Sequence, residues 1–132
     1  MALDLQVIFA NVSEKERVTG HHSAEGRAIR TLGRALNGWS AGDLSAEDVI
    51  CLCDQAIEDW LKAKLNVSQW SAKNMTELLV RALEKKLVAR IDAVRLQSLH
   101  NRRTRLDQTK LAAAQVVAAL VECIQIVDKH WS

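Results

Sequence analysis

Residues 45–65 read SAEDVICLCDQAIEDWLKAKL, and their pattern decides the fold class. Ser45 is followed three residues on by Asp48, close to the capping box with which a helix satisfies its own first amides. Glu47 and Asp48 place negative charge in the first turn, where the helix dipole favours it. Val49, Leu52, Cys53, Ala56, Ile57, Trp60 and Leu61 then recur at helical steps and define one continuous apolar face. Lys62 and Lys64 close the last turn at the negative end of the dipole. A strand needs a period of two, and no sustained period of two occurs in the chain. The fold class is read as all-α.

The helical period extends in both directions from this segment. Upstream, Ser23 caps a helix to about Asn37, with Ala28, Ile29, Leu32, Ala35 and Leu36 on one stripe and the two glycines of NGWSAGD (37–43) ending it. Residues 2–17 are read as a further helix or an ordered arm. Downstream, the polar connector NVSQWSAKN (66–74) leads to a helix that starts at Asn74 or Met75 and runs through Leu79, Leu83, Leu87, Ile91 and Val94 to about His100. A last helix starts near Asp107 or Thr109 and carries Ala113, Val117, Leu120, Ile124, Val127 and Trp131 as a heptad seam. Val116, Ala119, Val121 and Cys123 widen its apolar surface, so it is expected to be central or to pack on a second copy of itself. The expectation is one domain over residues 1–132, an up-and-down helical bundle of four main helices plus an N-terminal segment.

Composition agrees with a globular chain. At 132 residues it can bury a core without a metal or disulfide, and the absence of proline leaves its helices uninterrupted. Cys51, Cys53 and Cys123 form no CxxC pair and leave one over, so neither a disulfide framework nor a zinc site is expected, and a reducing cytoplasm is. The apolar stretch 111–127 is interrupted by Gln115, Glu122 and Gln125 and falls short of a bilayer span; no membrane role and no cofactor is expected.

Charge is uneven. The net charge is +2, yet residues 81–110 hold nine basic side chains against Glu84, Asp92 and Asp107, a balance of +6 that leaves −4 on the rest. An anionic partner is therefore expected here. Arg102, Arg103 and Arg105 lie in or beside the turn before the last helix, where guanidiniums can grip phosphates bidentately with help from that helix's first amides. The competing reading is that basic residues near a helix C-terminus merely offset its dipole and stay solvated. His100 follows Arg95 by five positions. On a straight helix that spacing turns through about 500° and leaves the two side chains roughly 140° apart.

An amphipathic helix containing DQAIEDWLKAKL, then a leucine-patterned helix, an arginine-rich turn and an alanine-rich closing helix together resemble the HEPN family of small helical-bundle domains. The resemblance covers about residues 44–131 and rests on helix order and the arginine-rich turn. It implies a homodimer and, for active members, a metal-independent ribonuclease in which an arginine is followed four to six residues later by a histidine. Arg95 and His100 satisfy that spacing as the catalytic pair, the histidine moving a proton and the arginine stabilising phosphorane charge. A second register places Arg103 at the arginine position, Thr104 at the polar position after it and Gln108 where the histidine belongs. A glutamine cannot relay a proton, so this register, the preferred one, implies a non-catalytic module. Such a module binds nucleic acid, a nucleotide or an acidic protein partner through Arg102, Arg103 and Arg105. The enzyme alternative is a toxin-like ribonuclease of a toxin-antitoxin pair, and the third reading is a purely structural dimeric adaptor.

Other candidates are weaker. His21, His22 and Glu25 lack further converging ligands, so they are read as a solvated loop and not a metal site. Asp54 and Glu58 share a helix face near Asp59; acids opposite an apolar stripe are read as its solvated side, or else as partners of the basic turn. Trp60 and Trp131 are assigned to packing, and Trp39 and Trp70 to loops.

Overall fold

The structure, a computed structural model, describes residues 7, 9–11, 13, 14, 17, 24–67, 74–104 and 113–130. Five helices follow one another: α1 (Ala24–Ala41), α2 (Ala46–Lys64), α3 (Met75–Glu84), α4 (Arg90–Thr104) and α5 (Ala113–Lys129). The described residues between 7 and 17 are helical as well, and no strand occurs among the described residues. The all-α reading holds. Among the described residues, no helix is long and apolar enough to cross a membrane.

Helix α2 is the axis of the bundle and packs against each of the other four. Its capping box is complete: the Asp48 amide donates to Ser45 Oγ at 3.2 Å, and the Ser45 amide donates to Asp48 Oδ2 at 3.2 Å. With its N-terminal amides satisfied, the helix buries Val49, Ile50, Cys53, Ala56, Ile57, Trp60 and Leu61 completely. Beside it, α1 contributes Ala28, Ile29, Leu32, Ala35 and Leu36, the stripe read from the sequence. Phe9 packs over α1, where a side chain in place of Gly33 would press on its ring.

Three helices end with the same hydrogen-bonded turn. At α1, Gly42 (φ 76°) donates to the Trp39 carbonyl at 3.1 Å and Asp43 donates to that of Gly38 at 2.8 Å. At α2, Asn66 (φ 56°) and Val67 donate to Ala63 and Lys62 at 3.1 and 2.8 Å. At α3, Lys86 (φ 58°) and Leu87 donate to Leu83 and Ala82 at 3.1 and 2.9 Å. Glycine and asparagine are the usual occupants of this left-handed position; lysine is not.

This last turn corrects the sequence reading. The expected single helix from Asn74 to His100 is two helices, α3 and α4, which fold back on each other with Thr76 Oγ1 donating to Gln97 Oε1 at 3.2 Å. Apolar periodicity continues across the break, and neither glycine nor proline marks it, so the sequence carries no ordinary stop signal. As a result Leu83, Ile91 and Val94, read as one buried stripe with Leu79, are 36%, 56% and 61% exposed.

Two smaller corrections concern α1 and α5. Helix α1 runs on to Ala41 because Gly38 lies inside it, pressed against the Leu44 side chain, and Trp39 is a half-buried helical residue. In α5, Leu120, Ile124 and Val127 of the heptad seam are buried together with Val116, Ala119, Cys123 and Ile126, whereas Ala113 and Val117 face outward. Its wide apolar face is used on the core of its own chain. Ser23, Trp70, Asp107, Thr109 and Trp131 lie outside the described residues.

Lys86→Gly removes a side chain from a left-handed position at which glycine carries no steric penalty. It is expected to raise the unfolding free energy by about 1 kcal/mol in urea denaturation, whereas Lys86→Val lowers it.

Candidate functional site

Helix α4 carries most of the candidate residues, yet it buries few apolar side chains: Ala93, Leu96 and Leu99. Two buried carboxylates add to this attachment. Leu96, Leu99, His100 and Arg103 share the face turned to α2, following the i, i+3, i+4, i+7 rule. There Asp54, 1% exposed, meets His100 Nδ1 with both oxygens at 3.1 and 3.2 Å and accepts from an Arg103 guanidinium nitrogen through Oδ2 at 3.2 Å.

At the other end of α4, Asp92, 2% exposed, meets His130 Nε2 at 2.7 Å and accepts from Lys129 Nζ at 3.0 Å. Both partners come from the end of α5. Burial pushes the Asp92 carboxyl up, but the hydrogen bonds with His130 and Lys129, with their charges, outweigh it and hold the group below its ordinary value. His130 also stacks obliquely near Trp60, with ring centroids 6.4 Å apart, and Lys64 lies 5.5 Å from the Trp60 ring centre.

The acids of α2 therefore divide. Asp54 is buried against the basic end of α4, so the salt-bridge reading applies to it and the solvated one does not. Glu58 pairs with the buried Lys62 at 3.3 Å. At the half-buried Asp59, burial raises the carboxyl; the Gln55 amide, donating at 3.0 Å, opposes the rise and Glu58 adds to it. Around Arg103, burial disfavours the charged form, but contact with Cys51 and the charge of Asp54 more than compensate and raise its basicity.

Arg102 and Arg103 form the last turn of α4 and are not in a loop. Adjacent on a helix, they point differently: Arg103 goes to Asp54, while Arg102 lines an open cleft of about 350 Å³ between α4 and α5. Arg95 lines the same cleft because the step of seven residues from it to Arg102 makes nearly two turns. Ser98 on α4 and Gln115 and Glu122 on α5 complete its polar lining over a floor that includes the buried Leu99 and Ala119. Among the described residues neither Arg95 nor Arg102 has an ion-pair partner. Beyond Arg95 and Glu122 a smaller hollow of about 120 Å³ continues toward Asp92 and Lys129.

The uninterrupted helix thus separates Arg95 from His100 and joins Arg95 to Arg102 instead. Ser98, Gln115 and Glu122 were not picked out from the sequence; the Arg95–Ser98–Arg102 spacing was a usable signal for the first of them. Arg105, Gln108, His21 and His22 lie outside the described residues. Cys53 and Cys123 are buried free thiols, and the hydrogen bond between them together with burial pushes the Cys123 thiol well up. Among the described residues no group of three His, Cys, Asp or Glu is placed to hold a metal ion. No family model, no curated protein and no solved structure matches the chain.

Because the Asp92 carboxyl is held low in the folded state, its contribution to stability is complete above the ordinary carboxyl value and fades as pH falls through the folded one. The stability gap between the native chain and Asp92→Asn is expected to be widest near neutral pH and to close below 3.8, as read from urea midpoints across pH.

Proposed function

We propose that this chain is a non-catalytic helical module that binds nucleic acid or a nucleotide in the cleft between α4 and α5. The observation that carries this reading is the pair Arg95 and Arg102, two guanidiniums on one cleft with no ion-pair partner among the described residues. Guanidiniums suit phosphate oxygens because their planar donors match two acceptors at once. The cleft's volume lies within the range of small-ligand pockets. Glu122 on the facing wall repels a plain polyacid but accepts hydrogen bonds from ribose hydroxyls or base amino groups, so the mixed lining favours a nucleotide unit over an acidic protein. The resemblance to the HEPN family implies the same class of ligand and a homodimer. In this reading Arg102 binds directly, Arg103 positions the end of α4, and Arg105 follows beyond it.

A second reading has its own observation. His100 is held through Nδ1 by the buried Asp54, which leaves Nε2 as the nitrogen able to exchange a proton, and Arg103 shares the carboxylate. A metal-independent ribonuclease in this chain would use His100 with Arg103 as its neighbour, since Arg95 lies on another side of the helix.

A short fluorescein-labelled single-stranded RNA is expected to bind with strong salt dependence, measured by anisotropy, and to remain intact in EDTA. Replacing both Arg95 and Arg102 by Ala is expected to weaken binding at least about tenfold and to flatten the slope of log affinity against log salt by about 1.4. Cleavage in EDTA that His100→Ala abolishes would establish the ribonuclease instead, and salt-independent failure to bind any polyanion would leave a structural adaptor.

A further inference from the structure

Between α3 and α4 an open groove of about 270 Å³ shares one residue, Val94, with the α4–α5 cleft. Its floor is the buried pair Leu79 and Ala93, and its walls are the exposed side chains of Val80, Leu83 and Val94. Ala93, the smallest of these, leaves the floor low. Exposed apolar side chains gathered around a concavity mark a binding site.

The two ends of the groove differ. At one end Thr76 Oγ1 donates to Gln97 Oε1 at 3.2 Å, and Gln97 Nε2 donates to Asn101 Oδ1 at 3.0 Å, so the amide is engaged through both its polar atoms. The antiparallel register set by that contact brings Leu83 opposite Arg90 at the other end, about 10 Å along the helices. Among the described residues, Arg90 is the one charged side chain lining the groove, and it has no ion-pair partner. Glu77 and Glu84 lie on α3 outside the lining. Glu84 is the acid nearer to Arg90 in the chain, and Lys85 and Lys86, exposed in the turn that closes the same end, outnumber it. An occupant must therefore be apolar along most of its length and anionic at one end.

We infer that the α3–α4 groove binds a medium-chain carboxylate, with its tail along Leu79, Val80, Leu83 and Ala93 and its carboxylate on Arg90. A single guanidinium balances a single charge, and its parallel donors match the two carboxylate oxygens. A sugar or an extended peptide laid in the groove leaves hydroxyls or amides unpaired against apolar walls, because Gln97 is already engaged. A flat lipid surface meets the exposed walls but leaves the concave floor uncovered. The inference stands apart from the nucleic-acid reading, because neither Arg95 nor Arg102 lines this groove.

Amide-proton NMR titration with hexanoate, octanoate and decanoate, each below its micelle concentration, tests it. Decanoate is expected to bind with a dissociation constant of about a millimolar and to shift the amides of Leu79, Val80, Leu83 and Ala93. Affinity is expected to rise by up to about fourfold for each added methylene and to level off once the tail fills the groove. Arg90→Gln is expected to weaken octanoate about threefold and to leave octanol, the same tail without the charge, unaffected. Val80→Gln, a polar helix former at an exposed position that leaves α3 intact by circular dichroism, is expected to weaken both. The inference is overturned by absence of shifts with decanoate, by octanoate binding that Arg90→Gln leaves unchanged, or by shifts confined to the α4–α5 cleft. Self-association that Val80→Gln abolishes would give the groove to a second copy, and binding to phosphatidylglycerol vesicles without binding to decanoate would give it to a lipid surface. Either result would overturn it too.

Discussion

Two buried carboxylates hold helix α4 to the bundle, and the character of the basic region depends on them. A helix that buries three apolar side chains, one of them an alanine, has little hydrophobic attachment of its own. Asp54 fastens its C-terminal half to α2 through His100 and Arg103, and Asp92 fastens its first turn to the end of α5 through Lys129 and His130. Each carboxylate is nearly inaccessible, while its cationic partners keep part of their surface in water. That asymmetry suits burial, because the costly desolvation falls on one ion of each cluster and two donors compensate it.

The clamps also sort the arginines. A basic helix end with every guanidinium solvated would be a diffuse positive patch, screened within about a Debye length. Here Asp54 removes Arg103 from that patch, and the helical repeat then carries Arg102 and Arg95 to the α4–α5 cleft. The same geometry separates Arg95 from His100. Local charge is thus divided into a structural share, which sets where α4 lies, and a share that faces an open cleft with Ser98, Gln115 and Glu122.

The left-handed Lys86 turn has the widest consequences for the surface. By ending α3 at Glu84 it converts one long amphipathic helix into an antiparallel pair, and a stripe that would have faced inward along a single axis is split between two. Leu79 and Leu96 reach the core, while Leu83, Ile91 and Val94 stay outside, Leu83 and Val94 bordering a groove. An apolar groove between the two helices follows from where the chain turns.

The sequence by itself determined the helical class, the cap at Ser45 and Asp48, the buried stripe of α1 and most of that of α2, and the basic character of residues 81–110. These rest on local period, local caps and composition, which a single chain displays directly. Only the tertiary structure decided that α3 and α4 are separate, that Asp54 is buried and not solvated, and that Arg95 belongs with Arg102. The reason is physical: a Schellman turn with lysine at its left-handed position has no composition signal, and a carboxylate at helical spacing looks the same whether its face meets water or another helix. Which face Asp54 meets is set by α4, thirty-six residues further along the chain, through contacts that local periodicity does not encode.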